Sequence, residues 1–511
     1  MTYSHSDRLT ALDASFLELE DHAVHMHVGS VGLFDAQPLQ GADGGLDMER
    51  IRAAVELGLG YHPRFRQKLA HVPLLGNPVW VDDDHFNLIY HLRHTALPPP
   101  GDLRQLKRLA GRIMSQQLDR GKPLWEMWIV EGVEDGRFAL ITKVHHCMID
   151  GVSGVDLLAE MIAPEAMHPH PAPTHWVPRP APRPSRLLAD EIVRRAGLPL
   201  DIVRGAGALL TEPRRTLHSA REALQGLGEV LSAGLSPTSP TPLNCDIGPH
   251  RRFDWLRLDL GGIKAIKNAH GTTVNDVVLA IVAGAMRRFL RGRGEEVDDL
   301  AFRAMVPINV RAAAEHGRLG NRVSFMLAPL PVNESGAAQR LARVAETMGT
   351  LKRSKQRLGG ELLEEISDHT ASSLFARFAR LGAQARPYNI VVTNVPGPPF
   401  AVALQGAAMR EIYPLVPLFS NQALGIALFS YDGGLYWGFN ADWDAVPDLH
   451  DVVIAVEQEF EELLGIVTTV QAATAAHPAP PVAAPAGAVR HRRSTRKPPT
   501  RRSVVARRRA S

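Results

Sequence analysis

The chain has 511 residues, more than one ordinary hydrophobic core organises, so two domain-sized halves are expected. Its 45% hydrophobic and 22% charged residues are ordinary for a soluble globular protein, and only Cys147 and Cys245 are present, which excludes a disulfide framework and fits a reducing cytosol. The net charge of +3 hides an asymmetry: residues 490–511 carry ten Lys and Arg and no acid, so the rest of the chain is net acidic and the pI of 8.9 describes a tail.

The N-terminus, MTYSHSDRLTALDASFLELED, is polar and acidic and lacks the apolar stretch of a signal peptide. Val28 to Phe34 reads as a strand in which Gly29 and Gly32 mark bulges or close approach. His25 and His27 alternate on one face of this extended run, but no third ligand follows at a recognisable spacing, so no metal site is expected. Met48–Leu59 is a predicted helix, Asp82–Asp84 a solvated charge run, Leu88–Leu92 a strand and Leu103–Leu118 a helix. Pro123–Val130 and Phe138–Val144 are strand-like and joined across Asp135-Gly136, a hairpin turn pair. Trp125 and Trp128 read as core.

At the end of that hairpin stand His145 and His146, then Asp150 and Gly151. Val155, Leu158, Ala159 and Ile162 recur at helical spacing, and Ser153 with Asp156 forms a capping-box-like start, so the histidine pair lies where a strand gives way to a turn and a helix. Gly151 allows the tight geometry such a turn needs. A neutral imidazole is the side chain best matched to removing a proton near pH 7. Asp150, four residues after His146, can either orient an imidazole or bind a cation that locks the turn. No G-x-S-x-G elbow supplies a serine nucleophile, and Cys147 would need a depressed pKa to serve as one.

Residues 164–242 are Pro-rich and then helix-prone from Leu187 to Ala233, with breaks at Pro199 and Pro213; this reads as a linker. In the second half, Thr273 and Asp276 form a capping box for a helix bearing Val274, Val277, Ile281 and Ala285 on one face. Asn275 and Asp276 are either helix-start residues or substrate contacts. A strand follows at VPINVR, where Arg311 could pair with a carboxylate. Then come a helix at Ala371–Ala383, a strand at Tyr388–Thr393 and a turn at Asn394–Gly397. Leu424–Ser430 and Leu435–Asn440 make a second hairpin across YDGG, and Pro447–Leu464 is the final helix. The longest uncharged run, Tyr413–Tyr431, contains Pro414, Pro417, Ser420, Asn421 and Gln422; it reads as a loop into a strand, so membrane contact is expected to be peripheral. The expected divisions are 1–175, a linker at 176–242, 243–469, and a disordered Ala/Pro/Arg-rich tail at 470–511.

The H-H-x-x-x-D-G string at 145–151 resembles the signature of the CoA-dependent acyltransferase superfamily: chloramphenicol acetyltransferase, peptide-synthetase condensation domains and the wax ester synthase/diacylglycerol acyltransferases. LTALDASFLELE, HMHVG, PLWE, TVNDVVLA, VPINVR, LGNRVS and NVPGPP are similar to motifs of the last group, especially its actinobacterial members, and occur in its order from Leu9 to about Leu464. The resemblance implies an α/β fold of two chloramphenicol-acetyltransferase-like halves, mixed sheets flanked by helices, with the active site in a channel between them. It implies that His146 is the general base, His145 supports it, Asp150 is structural and paired with an arginine, and Gly151 makes the motif turn. Asn275 and Asp276 become candidate substrate contacts, with Asn275 a donor to the tetrahedral oxyanion. The implied reaction moves a long-chain acyl group from acyl-CoA, a substrate and not a cofactor, to diacylglycerol or a fatty alcohol, with no metal and no acyl-enzyme. The expected setting is cytoplasmic, peripheral to the inner membrane or lipid droplets. The basic tail lies outside the family core and would attract anionic lipid or, non-specifically, nucleic acid. The alternatives are a condensation-domain-like transferase with another hydroxyl or amine acceptor, and a protein that only coats lipid surfaces.

Overall fold

Period-two patterning along this chain produces two large mixed sheets and one small one among the residues that the computed structural model describes, which are 7–73, 78–148, 176–193, 237–309, 323–353 and 386–476. Both large sheets belong to one compact unit ending at Val467. The small sheet is antiparallel, with β1 (Asp7–Arg8), β4 (Val79–Asp82) and β3 (Gln67–Ala70) in that spatial order.

The first six-stranded sheet contains β2 (His27–Asp35), β5 (Leu92–Ala96), β6 (Trp125–Val133) and β7 (Arg137–His145), with β12 (Ala403–Leu404) and β13 (Ala407–Leu415) from far down the chain. Its order is β12-β13-β2-β7-β6-β5, so the chain division drawn near residue 243 is not the division between sheets. The β6–β7 hairpin turns where expected, with Asp135 and Gly136 both at positive φ (60° and 65°), the backbone that suits right-twisted strands. β2 and β7 approach so closely that a Cβ at Gly29 would lie 2.1 Å from the Thr142 carbonyl oxygen. Only glycine fits there.

The second sheet runs β10 (Val323–Leu330), β9 (Phe302–Asn309), β11 (Ile390–Pro396), β14 (Leu424–Tyr431), β15 (Gly434–Asp442), β8 (Arg251–Asp259). β11 is parallel to both neighbours, and the β14–β15 hairpin turns at Asp432 and Gly433, again both at positive φ. The helices are α1 (Ala11–Leu19), α2 (Met48–Tyr61), α3 (Leu88–His91), α4 (Leu103–Met114), α5 (Leu260–His270), α6 (Val274–Gly292), α7 (Ala337–Arg353) and α8 (Leu449–Ala476); residues 184–193 are also helical. α6 is buried on nearly every side, as its almost unbroken apolar sequence requires. It starts on the predicted capping box: Thr273 Oγ1 accepts from the Asp276 amide (3.2 Å) and Asp276 Oδ2 from the Thr273 amide (2.9 Å).

Helix α4 joins the two sheets by packing on β8. A Cβ at Gly111 would sit 2.8 Å from the Arg251 carbonyl oxygen, and the Arg251 amide donates to Ser115 Oγ at 2.8 Å. The Arg251 guanidinium, buried and lowered to about 10 by desolvation, donates to the carbonyls of Gly248, His250 and Ala23.

Several expectations are corrected by local chemistry. Residues 88–91 form a helical turn before the strand because Asn87 accepts from the Ile89 amide (3.0 Å) and starts it. Helix α4 stops at Met114, where Ser115 Oγ donates to the Gly111 carbonyl (2.7 Å) and Lys143 to those of Ile113 and Gln116. The strand at 390 continues through Asn394, Val395 and Pro396, since β14 pairs with it along that length; the chain reverses only afterwards. Asp82 and Asp83 are buried, not a solvated run. Arg179 donates to Asp82 twice from its guanidinium and once from its amide (2.9 Å each) and holds its carboxyl down to about 2 against the opposing effect of burial, while Lys68 pairs with Asp83 at 2.7 Å. The last helix tolerates Gly465 and extends to Ala476, because the first proline beyond it is Pro478. The predicted helix at 155–162 with its cap, the linker at 194–236, Arg311, the helix at 371–383 and the tail from 477 lie outside the described residues.

Candidate active site

The site is built where β7 ends. Period-two geometry puts Lys143 and His145 on one face of this strand, and both are fully buried. Desolvation lowers Lys143 to about 8, and its Nζ donates to the carbonyls of Ile113 in α4 and of Gln116 just after it, fixing the strand end against that helix. His27 on β2 stands directly opposite His145 in the antiparallel register, with ring centroids 6.0 Å apart.

Between the two imidazoles sits Glu20, the C-cap residue of α1, whose amide donates to the Phe16 carbonyl at 3.2 Å. Glu20 Oε1 is 3.3 Å from His27 Nε2, and Oε2 is 3.6 Å from His145 Nε2. Arg120 closes the group, donating from Nη2 (2.8 Å) and Nε (3.2 Å) to Glu20 Oε2, and from Nη2 to the Leu17 carbonyl at the end of α1 (2.6 Å). Burial opposes ionisation of Glu20, but the imidazole edges of His145 and His27 outweigh it, and the carboxyl stays well below the usual range. The imidazoles respond the other way: desolvation lowers His27 to about 3 and also lowers His145 and His25. At neutral pH this is one carboxylate, one guanidinium and neutral rings.

His146 opens a single 3-10 turn, His146–Met148, and is only partly buried, unlike His145. Its amide donates to the Met26 carbonyl (2.7 Å), and the next amide, that of Cys147, donates to His145 Nδ1 (3.1 Å). The ring lies on Phe16 of α1 with centroids 4.1 Å apart. Nδ1 is enclosed with no hydrogen-bond partner among the described residues. Desolvation, with a smaller push from His145, lowers the ring to about 4, so it is a neutral proton acceptor at pH 7. Burial pushes the Cys147 thiol well up, which removes the thiolate a cysteine nucleophile needs.

The structure thus gathers His145 and His146 with Phe16, Glu20, His27 and Arg120. Asp150 and Gly151 lie outside the described residues. No hydrogen bond or ion pair among the described residues joins Asn275 or Asp276 to this group; Asp276 serves the α6 capping box, and its Oδ1 is buried without a partner. Sequence reasoning noted the string containing Glu20 and the alternation of His25 and His27, but gave Glu20, Arg120 and Phe16 no role. Trp125 is core, donating from Nε1 to the Phe65 carbonyl (2.8 Å), with His91 stacked on it at 4.7 Å. Among the described residues no three His, Cys, Asp or Glu side chains are grouped to hold a metal ion, and no helix is long and apolar enough to cross a membrane.

This fold is shared with condensation domains: the first condensation domain of the calcium-dependent antibiotic synthetase superposes with a TM-score of 0.58 at 16% identity, covering 91% of this chain and 96% of that one. The wax ester synthase/diacylglycerol acyltransferase of Marinobacter aquaeolei VT8 matches at a TM-score of 0.63 and 28% identity, over 90% of this chain and all of that one. Residues 9–278 match the wax ester synthase/diacylglycerol acyltransferase catalytic domain and residues 319–464 the C-terminal domain of the same family. A putative diacylglycerol O-acyltransferase of Mycobacterium tuberculosis is 34% identical over 466 residues, 90% of each chain; a probable one from the same species is 32% identical over 470 residues, 90% of this chain and 96% of the other. The chain belongs to the wax ester synthase/diacylglycerol acyltransferase family of acyltransferases.

Proposed function

We propose that this protein transfers a long-chain acyl group from acyl-CoA to the free hydroxyl of diacylglycerol, giving triacylglycerol, and to long-chain alcohols, giving wax esters, with His146 as general base. The observation that carries this is the state of His146: a neutral imidazole on a backbone held before and after it by the amides of His146 and Cys147, partly open where its neighbour His145 is sealed. With Nδ1 enclosed, Nε2 is the nitrogen that a bound alcohol can reach. Nε2 takes the hydroxyl proton as the oxygen attacks the thioester carbonyl. The tetrahedral intermediate collapses with cleavage of the C–S bond, and the imidazolium returns the proton to the leaving CoA thiolate. The thioester is already activated, so neither an acyl-enzyme nor a cofactor is required. Asn275 is assigned as an oxyanion donor, and Asp150 and Gly151 as the residues that shape the loop after the base. The capping geometry of Asp276 supports a role in placing Asn275 at the start of α6, not one in proton transfer.

The site of action is proposed to be a lipid surface met peripherally. The ten cationic residues at 490–511 would each add about 1 kcal/mol beside an anionic membrane. Deleting residues 477–511 should abolish sedimentation with anionic vesicles and leave acyl transfer to a dispersed acceptor intact; unchanged sedimentation would remove the tail from this account. The reaction itself is tested by offering palmitoyl-CoA with diacylglycerol and hexadecanol in parallel, His146→Ala being the control. Triacylglycerol formed by the wild type and absent with the variant supports the proposal; wax ester alone moves the acceptor to alcohols. No product from either acceptor with folded wild-type protein overturns it.

A further inference from the structure

We propose that Glu20 is a positioning residue for the base, acting on His146 through the ring of His145. This rests on the assignment of His146 just given, and begins from the hydrogen bond between the Cys147 amide and His145 Nδ1. An amide only donates, so that nitrogen must be unprotonated, and the proton of neutral His145 must sit on Nε2. Nε2 faces Glu20 Oε2 at 3.6 Å, in a setting where both side chains are at most 2% exposed. The carboxylate therefore selects the tautomer whose other nitrogen holds the backbone immediately after His146. The opposite tautomer would aim an N–H at the Cys147 amide and release that backbone.

The same short element reaches both histidines. Helix α1 ends on Glu20, and Phe16, one turn earlier, supplies the ring on which His146 lies; Arg120 ties Glu20 and the Leu17 carbonyl to one guanidinium. His27 stands on the other side of the carboxylate beside Oε1, and Arg120 holds Oε2 by hydrogen bonds, so Glu20 is kept facing His145. Glu20 touches no reacting atom in this arrangement. Its influence is on where and how firmly the His146 ring is held.

Glu20→Ala should reduce kcat by about ten- to a hundredfold while leaving KM for palmitoyl-CoA unchanged. In Glu20→Gln, Arg120 should draw the amide oxygen into the place of Oε2, so His145 keeps an acceptor and kcat should recover to within a few-fold of wild type. The decisive readout is the ring of His145 in ¹⁵N-histidine-labelled protein, assigned against His145→Gln. Its expected state is the Nε2–H tautomer in wild type and Glu20→Gln, with loss of that single state in Glu20→Ala. A wild-type Nδ1–H tautomer would overturn the inference, even if no Glu20→Ala protein could be obtained folded. So would a folded Glu20→Ala variant with wild-type kcat, or one slowed with its His145 signals unmoved. A wild type without turnover would sink the proposed function and not this inference, which the ring spectra decide by themselves.

Discussion

Among the described residues two ionic clusters invite comparison, one at the end of β7 and one between α6, α7 and α8, and they are built on opposite rules. In the second, Arg340 donates to the carbonyls of Glu334 (2.8 Å) and Ser335 (3.1 Å) and to Glu459, Glu459 also takes Arg288 at 2.5 Å, and Arg288 takes Glu462 at 2.6 Å. Charge is matched by charge across α6, α7 and α8, and Arg340 Nε is the cluster's one buried atom without a hydrogen-bond partner among the described residues. In the first, Glu20 and Arg120 are matched, but Glu20 Oε1, both ring nitrogens of His27, Nε2 of His145 and Nδ1 of His146 lack well-formed hydrogen bonds. Buried polar atoms left so are costly. A cluster that only stabilises has no reason to retain them. The first cluster holds neutral imidazoles in fixed places, which suits proton transfer; the second holds three helices together.

This contrast predicts that variants of the first cluster act on turnover and variants of the second on stability. The largest effect belongs to His146→Ala, where kcat should fall by about 10²–10⁴-fold with the melting temperature nearly unchanged. Its counterpart is Glu459→Ala, which leaves the Arg340 guanidinium buried without its carboxylate. That should cost about 3–5 kcal/mol, seen as a lower denaturant midpoint, with kcat per folded molecule retained. Parallel denaturation and kinetic measurements on both variants check the pair. Loss of turnover in folded Glu459→Ala to the level of His146→Ala would break the distinction.

Next in size is Gly284→Ala on α6. A Cβ there would lie 2.0 Å from Glu459 Oε2 and 2.7 Å from Arg340 Nη2, so it must displace the ion pair at its centre. The expected cost is about 1–3 kcal/mol, typical of overpacking, again without a change in kcat. A melting curve equal to wild type would show that the second cluster yields easily, and that its pairing matters less than its geometry suggests.

The second cluster was invisible in the sequence and the first only half visible, for the same reason. Local signals carried the hairpins, the α6 capping box and the strand holding the histidine pair, because turn chemistry and period-two patterning act over a few residues. Glu20, His27, Arg120 and His145 come from four separate segments, and what joins them is the β2–β7 register and the packing of α1 against the end of β7. No spacing rule reaches across those distances. The same holds for β13, which comes from the second half of the chain yet pairs with β2 in the first sheet. Asp82 misled because three successive aspartates look solvated until Arg179, nearly a hundred residues on, covers one of them.

The smallest expected effect is an absence of change, and it bears on the first cluster alone. His146 is lowered to about 4 from the ordinary 6.5, chiefly by burial, so its neutral form predominates well into the acid range. Glu20 and Arg120 supply the charges nearby, Lys143, lowered to about 8, adds its own below that pH, and burial lowers His27 and His145. It follows that kcat/KM should be flat from about pH 7 to about pH 5, with its acid limb nearer 4 than 6.5. Stability should not be flat. A histidine whose folded pKa lies below its unfolded value binds more protons when unfolded, so stability is level above about 6.5 and falls as the pH drops towards 4 for His146 and 3 for His27. Acid should therefore unfold the protein before it silences the folded site. Measuring kcat/KM and the denaturant midpoint on the same samples separates the two: an activity limb near 6.5 at constant stability would mean that the base is solvated like an ordinary surface histidine, and the cluster beneath it would lose its distinguishing property.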